Sequence, residues 1–65
     1  MEFKEKLVYV RALLNLTQTE LANELKVSFT TVNRWETGKI KPSKKAEVSL
    51  DIFCKKKGII IEENK

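Results

Sequence analysis

Histidine is absent from this 65-residue sequence, and cysteine, proline and tryptophan occur once each. The single cysteine, Cys54, cannot form an intramolecular disulfide, and without histidine the chain lacks the commonest general base and most zinc-ligand sets. Serine and threonine are present, but no histidine can activate them as nucleophiles. The two glycines, Gly38 and Gly58, cannot build a phosphate-cradling loop. These absences predict a protein that is not an enzyme and that needs no metal or other cofactor.

A long apolar segment is also absent. Residues 1–10 carry charge from the second position onwards, unlike a signal peptide, and no apolar run approaches the about 20 residues that cross a bilayer. We therefore expect a cytoplasmic protein with no membrane partner. A domain of this length buries only about 60% of the surface of its unfolded chain, so a single thin core must hold it together.

Charge is distributed unevenly along the chain. Residues 1–25 carry three basic and four acidic side chains, residues 26–58 carry nine basic and three acidic ones, and residues 59–65 carry one basic and two acidic ones. A basic region concentrated in one half of a chain is expected for a protein with a polyanionic partner. A solvated lysine-rich surface without such a partner explains the charge pattern equally well.

Apolar spacing and capping residues predict the first two helices. Apolar residues three and four positions apart place the first helix over residues 2–14. Thr17, followed three residues later by Glu20, forms a capping box, in which each side chain accepts a hydrogen bond from the main chain of the other. This capping box predicts a second helix that ends near Leu25.

Two further helices follow from serine caps and glycine stops. Ser28 precedes a third helix over residues 29–37 and Ser43 precedes a fourth over residues 44–57, and a glycine follows each helix. The predicted fold class is therefore all-α, with four helices. We expect the domain to cover residues 1–58, with a short apolar and then charged tail at 59–65. Whether a fifth helix or a strand forms in that tail is left open.

The third predicted helix has two different faces. At about 100° per residue, Thr30, Asn33 and Arg34 lie within roughly 100° of one another, whereas Val32 and Trp35 point away from them. Arginine and asparagine can each form two hydrogen bonds to one base, guanine and adenine respectively. An ordinary solvated face is the alternative, but a helix, a short turn and a capped helix form the helix-turn-helix arrangement, in which the later helix enters the major groove of DNA.

Glu36 lies on the flank of the buried side of the third helix, about 40° from Val32. A partly buried carboxylate without a partner is costly. Arg11 is the candidate partner, because it lies about 70° from the centre of the apolar stripe on the first helix. We predict a partly buried ion pair that joins these two helices; the alternative is two independent surface charges.

The sequence LTQTELANELKVSFTTVNRWETGKIKPS, with Arg11 upstream, resembles the helix-turn-helix domain of the Cro and CI phage repressors, also called the XRE family. The resemblance covers about residues 7–53 and rests on an ordered combination of residues, no one of which is distinctive alone. It implies a lambda-repressor-like fold and sequence-specific binding of double-stranded DNA. It also implies a role as a transcriptional regulator in a bacterium or phage.

The resemblance implies roles for individual residues as well. The family positions that face bases are occupied here by Phe29, Thr30, Asn33 and Arg34. The positions that contact the DNA backbone are occupied by Gln18, Ser28, Thr31, Lys39 and Lys41, together with main-chain amides at 37–39. Gln18 also matches the residue that braces the recognition helix. Arg11 and Glu36 match the ion pair between helices that the family uses.

Several features depart from the family pattern. Lys26 stands where many members have glycine, so either mild backbone strain or a different turn is expected there. Phe29 stands where a polar residue is common, and it would either touch a thymine methyl group or fold against Val32. Many members continue into a fifth helix near their dimer surface, whereas only a short tail follows Gly58 in this sequence.

Oligomeric state and two other functions remain open at this point. Pairing on two DNA half-sites would add specificity to so small a reader, and the apolar residues available for a homodimer are Val48, Ile52, Ile59, Ile60 and Ile61. The alternative is a monomer in which the tail folds over Val48 and Ile52. A protein-interaction module, such as an antitoxin-like or adaptor subunit, and a non-specific nucleic-acid binder are the other functions. Salt dependence and sequence dependence of DNA affinity would separate them.

Overall fold

The computed structural model describes residues 1–61, and the remaining tail residues, 62–65, lie outside the described range. Four helices form the described part: α1 (Phe3–Leu14), α2 (Gln18–Leu25), α3 (Phe29–Thr37) and α4 (Lys44–Lys56). The predicted all-α fold class is confirmed, and each helix begins and ends within one residue of the predicted position. Residues 59–61 form neither helix nor strand. Among residues 1–61, no helix combines the length and apolar character needed to cross a membrane.

Side chains at the start of α2, α3 and α4 satisfy main-chain N–H groups that have no partner within the helix. Thr17 Oγ1 accepts from the Glu20 amide at 3.0 Å, and the Glu20 carboxylate accepts from the Thr17 amide at 2.8 Å, which is the predicted capping box. Ser28 Oγ and Ser43 Oγ each accept from the third residue of their helix at 3.1 Å. Because each cap involves residues only three positions apart, the sequence alone indicated where these helices begin.

All four helices end in the same main-chain turn. A residue with positive φ lies at or just after each C-terminus: Asn15 (57°), Lys26 (60°), Gly38 (78°) and Gly58 (73°). The amide of the following residue then donates to the carbonyl five positions earlier, at distances of 2.8 to 3.0 Å. In three of these turns the following residue is apolar and packs against the core: Leu16, Val27 and Ile59. The strain expected at Lys26 arises from this left-handed conformation.

The core takes side chains from all four helices. Its buried members are Leu7, Val10, Leu21, Ala22, Val32, Trp35, Leu50, Phe53 and Cys54. Phe3 meets Trp35 edge to face, with ring centroids 5.2 Å apart and ring planes at 85°. This aromatic pair joins α1 to α3, and it fixes the side of α3 that faces away from solvent.

The tail does not cover Val48 and Ile52, as it would in the monomer alternative. Ile59 and Ile61 are partly buried against the core, whereas Val48 and Ile52 are 44% and 60% exposed. A fold-back of the tail over Val48 and Ile52 is therefore wrong for residues 59–61. The reason is that the Ile59 amide donates to the Cys54 carbonyl at 2.8 Å, and Cys54 lies more than about 100° around α4 from that apolar pair.

Candidate nucleic-acid interface

Helix α3 presents two faces, as the helical wheel predicted. Val32 is fully buried and Trp35 is 7% exposed. On the other side Thr30 and Arg34 are exposed, and Asn33 is half-buried. The buried side fixes the rotation of the helix about its axis, so the opposite face carries the side chains that a groove of DNA could meet.

Phe29 begins α3 and is 50% exposed. The exposed part of the ring adds an apolar patch at the N-terminal end of the face that holds Thr30, Asn33 and Arg34, which is called the reading face below. Phe29 therefore lies where it could contact a thymine methyl group, the apolar feature of the major groove.

Arg11 and Glu36 form a two-pronged ion pair between α1 and α3. Arg11 Nε donates to Glu36 Oε2 and Arg11 Nη2 donates to Glu36 Oε1, both at 2.8 Å. The side chains are 25% and 7% exposed respectively. The hydrogen bond to Glu36 raises the pKa of Arg11, although partial burial acts to lower it. Arg11 Nη1 also donates to the Leu16 carbonyl at 3.3 Å, which ties the pair to the end of α1.

Gln18 and Asn33 extend this ion pair towards the exposed face. Gln18 Nε2 donates to Glu36 Oε1 at 2.9 Å, and Asn33 Nδ2 donates to Gln18 Oε1 at 3.2 Å. The four side chains form one continuous network across α1, α2 and α3. The sequence indicated the Arg11 and Glu36 pair, and the family resemblance implied that Gln18 braces the recognition helix. Neither indicated the contact between Gln18 and Asn33, because no local pattern reports how α2 and α3 cross.

The other residues expected at the DNA backbone lie around the ends of α3. Ser28 Oγ lies 2.9 Å from Thr31 Oγ1, so the two hydroxyl groups form a pair at the start of the helix. Lys39 and Lys41 are exposed in the segment that follows the helix. Both lysines are therefore free to reach a nearby anion.

One expectation about the main chain is wrong. The amides of Gly38 and Lys39 do not point outward to hold a phosphate, because they donate to the Trp35 and Arg34 carbonyls at 3.2 and 2.9 Å. They close the C-terminus of α3 instead, as in the other three helices. The Thr37 hydroxyl is also engaged, since it donates to the Asn33 carbonyl at 3.0 Å.

No group of three or more acidic, cysteine or histidine side chains within residues 1–61 is placed to hold a metal ion. Apart from the paired Glu36 carboxylate, the polar groups on and beside α3 are amides, hydroxyls, a guanidinium and two ammonium groups. These are hydrogen-bond donors and acceptors that suit base edges and phosphates.

Comparisons with known proteins agree with this geometry. A helix-turn-helix family model matches residues 7–46. The HTH-type transcriptional activator BcrR of Enterococcus faecalis is 51% identical over 43 residues, which cover 66% of this chain and 21% of BcrR. The uncharacterized HTH-type transcriptional regulator MJ0272 of Methanocaldococcus jannaschii is 45% identical over 60 residues, which cover 92% of this chain and 86% of that protein. The chain thus spans about a fifth of the length of BcrR. No solved structure gives a significant match.

Proposed function

Because the chain belongs to the helix-turn-helix family of DNA-binding transcriptional regulators, we propose that it recognises a specific double-stranded DNA sequence by placing α3 in the major groove. The observation that carries this proposal is the division of α3 into two faces. Its apolar side is locked into the core, and its polar side holds Thr30, Asn33 and Arg34. Its place of action would be the cytoplasm.

The base-reading positions differ in chemistry. Arg34 offers two donors in a plane, which suits the O6 and N7 acceptors of guanine, and Asn33 suits adenine. Thr30 has both a hydroxyl and a methyl group, and Phe29 offers an apolar surface to thymine. Together these side chains would give preferences at a few neighbouring base pairs.

Phosphate contacts would come from the residues on either side of the reading face. Gln18, Ser28 and Thr31 have neutral donors near the N-termini of α2 and α3, where helix dipoles also favour an anion. Lys39 and Lys41 add positive charge beyond the C-terminus of α3. Such contacts orient a protein on the duplex without reading sequence.

We also propose that two copies pair on adjacent half-sites, which would double the number of base contacts. Support comes from Val48 and Ile52, which are spaced four residues apart on α4 and are exposed. Ile60 is 81% exposed and could join them, whereas Ile59 and Ile61 are partly buried against the core. A two-fold symmetric binding motif that loses its symmetry in Ile52→Glu is the expected result, and an asymmetric wild-type motif would contradict pairing.

Selection from a random duplex library tests the main proposal. The wild-type protein should enrich one motif, and Arg34→Ala should lose preference at one or two base pairs while backbone affinity persists. Lys57→Ala is the matched control, because it also removes one positive charge, from the C-terminal end of α4 and not from α3. Absence of binding at low salt would point to a protein partner, and equal binding to all sequences would point to a non-specific binder.

A further inference from the structure

We infer that the network from Arg11 through Glu36 and Gln18 is a positioning device that fixes the orientation of the Asn33 amide and so makes this residue select adenine. The inference rests on the proposed function, since it concerns how α3 reads a base. It assigns Gln18 a part in specificity, separate from any contact that this residue makes with the DNA backbone.

The direction of hydrogen bonding in the network is set at its buried end. A guanidinium can only donate, and a carboxylate paired with it can only accept. Glu36 Oε1 accepts one hydrogen bond from Arg11 Nη2 at 2.8 Å and another from Gln18 Nε2 at 2.9 Å. The Gln18 amide must therefore turn its NH2 group towards Glu36, because the opposite orientation would place an oxygen against that carboxylate.

The orientation of the Gln18 amide in turn determines the orientation of the Asn33 amide. With its NH2 group turned towards Glu36 and one of the two hydrogens donated there, Gln18 directs its oxygen towards Asn33, and a carbonyl oxygen can only accept. Asn33 Nδ2 donates to it at 3.2 Å. Reversing the Asn33 amide would put two oxygens at about this separation and lose the hydrogen bond. Asn33 Oδ1 is consequently directed away from Gln18.

An amide fixed in this orientation favours one base over another. Asn33 retains Oδ1 as an acceptor and one Nδ2 hydrogen as a donor, which together match the N6 donor and N7 acceptor of adenine. Guanine offers two acceptors, O6 and N7, so the fixed oxygen would oppose O6. A freely rotating amide could turn its NH2 group towards guanine, and the network removes that option.

The test measures binding to duplexes that differ at single base pairs, with Thr19→Ala as a control on an exposed neighbouring position. Asn33→Ala first identifies the base pair that this residue reads. There the wild-type protein should prefer adenine over guanine by about tenfold or more. Gln18→Ala should reduce that ratio to about twofold, while the preference at the base pair read by Arg34 stays unchanged. Gln18→Met keeps the side-chain length without an amide and should behave in the same way.

A second substitution tests the same idea by changing Asn33 itself. Asn33→Asp keeps acceptors at this position but cannot donate to Gln18, so the preference should move from adenine to cytosine, whose N4 group is a donor. If both Gln18 variants retain the adenine preference, or lose preference equally at every base pair, the inference is overturned while the proposed function stands. If the wild-type protein selects no motif, both fail.

Discussion

Glu36 accepts three hydrogen bonds through one carboxylate, two from Arg11 and one from Gln18. Its side chain is 7% exposed, whereas that of Arg11 is 25% exposed. A pair so placed adds little when intact, because each charge gives up much of its hydration, but loss of one partner leaves the other charge partly buried. The pair therefore joins α1 to α3 in a way that penalises single substitutions.

Glu36→Met should lower the free energy of unfolding by about 2 kcal/mol, because it strands the Arg11 guanidinium and a Gln18 donor. The double variant Arg11→Met with Glu36→Met should lose less than the single variant, since no unpaired charge remains. Urea unfolding followed by Trp35 fluorescence gives both values. Losses that simply add up in the double variant would contradict the coupling.

Cys54 is the second residue whose environment has a measurable consequence. Burial raises the pKa of its thiol, nearby Asp51 raises it further, and Lys6 partly opposes this. In the unfolded chain the thiol ionises at its ordinary pKa, so above that pH the unfolded state releases the proton first. The stability contributed by Cys54 is thus present below about pH 8.5 and is lost as pH rises above it.

This pH dependence can be isolated with Cys54→Ala, which cannot ionise. The free energy of unfolding should be measured for both proteins between pH 7 and pH 10. The advantage of the wild-type protein over the variant should shrink with rising pH, because all other titrating groups are shared. A constant difference over that range would show that the thiol does not titrate differently in the two states.

At the scale of the element, the four helices end in the same turn with a positive-φ residue, but different residue types occupy that position. Gly38 and Gly58 adopt positive φ without steric cost, and their identity made the ends of α3 and α4 predictable. Asn15 and Lys26 adopt φ of 57° and 60° with a side chain present. Asparagine tolerates this region better than lysine does, so strain is concentrated at the end of α2.

Lys26→Gly should therefore stabilise the protein by about 0.5 kcal/mol, as relief of strain exceeds the extra entropy of glycine in the unfolded chain. Asn15→Gly is the matched comparison at the equivalent turn of α1, and it should gain less. Thermal and urea unfolding of the two variants provide the ranking. If Asn15→Gly proved the more stabilising, strain at Lys26 would not be the cause.

At the scale of the whole molecule, the sequence carries a net charge of +4, and its basic residues are concentrated in the second half. Helix α3, which carries the proposed reading face, belongs to that half, and the exposed Lys39 and Lys41 follow its C-terminus. Attraction to a duplex through phosphates releases counterions, so affinity must fall as salt concentration rises.

Lys39→Ala and Lys41→Ala should each weaken binding by a similar factor for every DNA sequence. Each should also reduce the slope of log affinity against log salt by roughly one, because one phosphate contact is lost. Lys57→Ala is again the control, since Lys57 follows the end of 13-residue α4, about 20 Å from its start. An unchanged slope in both loop variants would exclude Lys39 and Lys41 from the phosphate contacts.

The sequence by itself determined the helices, their caps and the two faces of α3, because each depends on residues within one or two turns of one another. It also indicated the Arg11 and Glu36 pair, since each wheel placed one charge beside its apolar stripe. Tertiary structure alone decided the link between Gln18 and Asn33 and the path of residues 59–61. These depend on how helices cross and on where the chain turns after α4, which close packing of the core sets and periodicity does not encode.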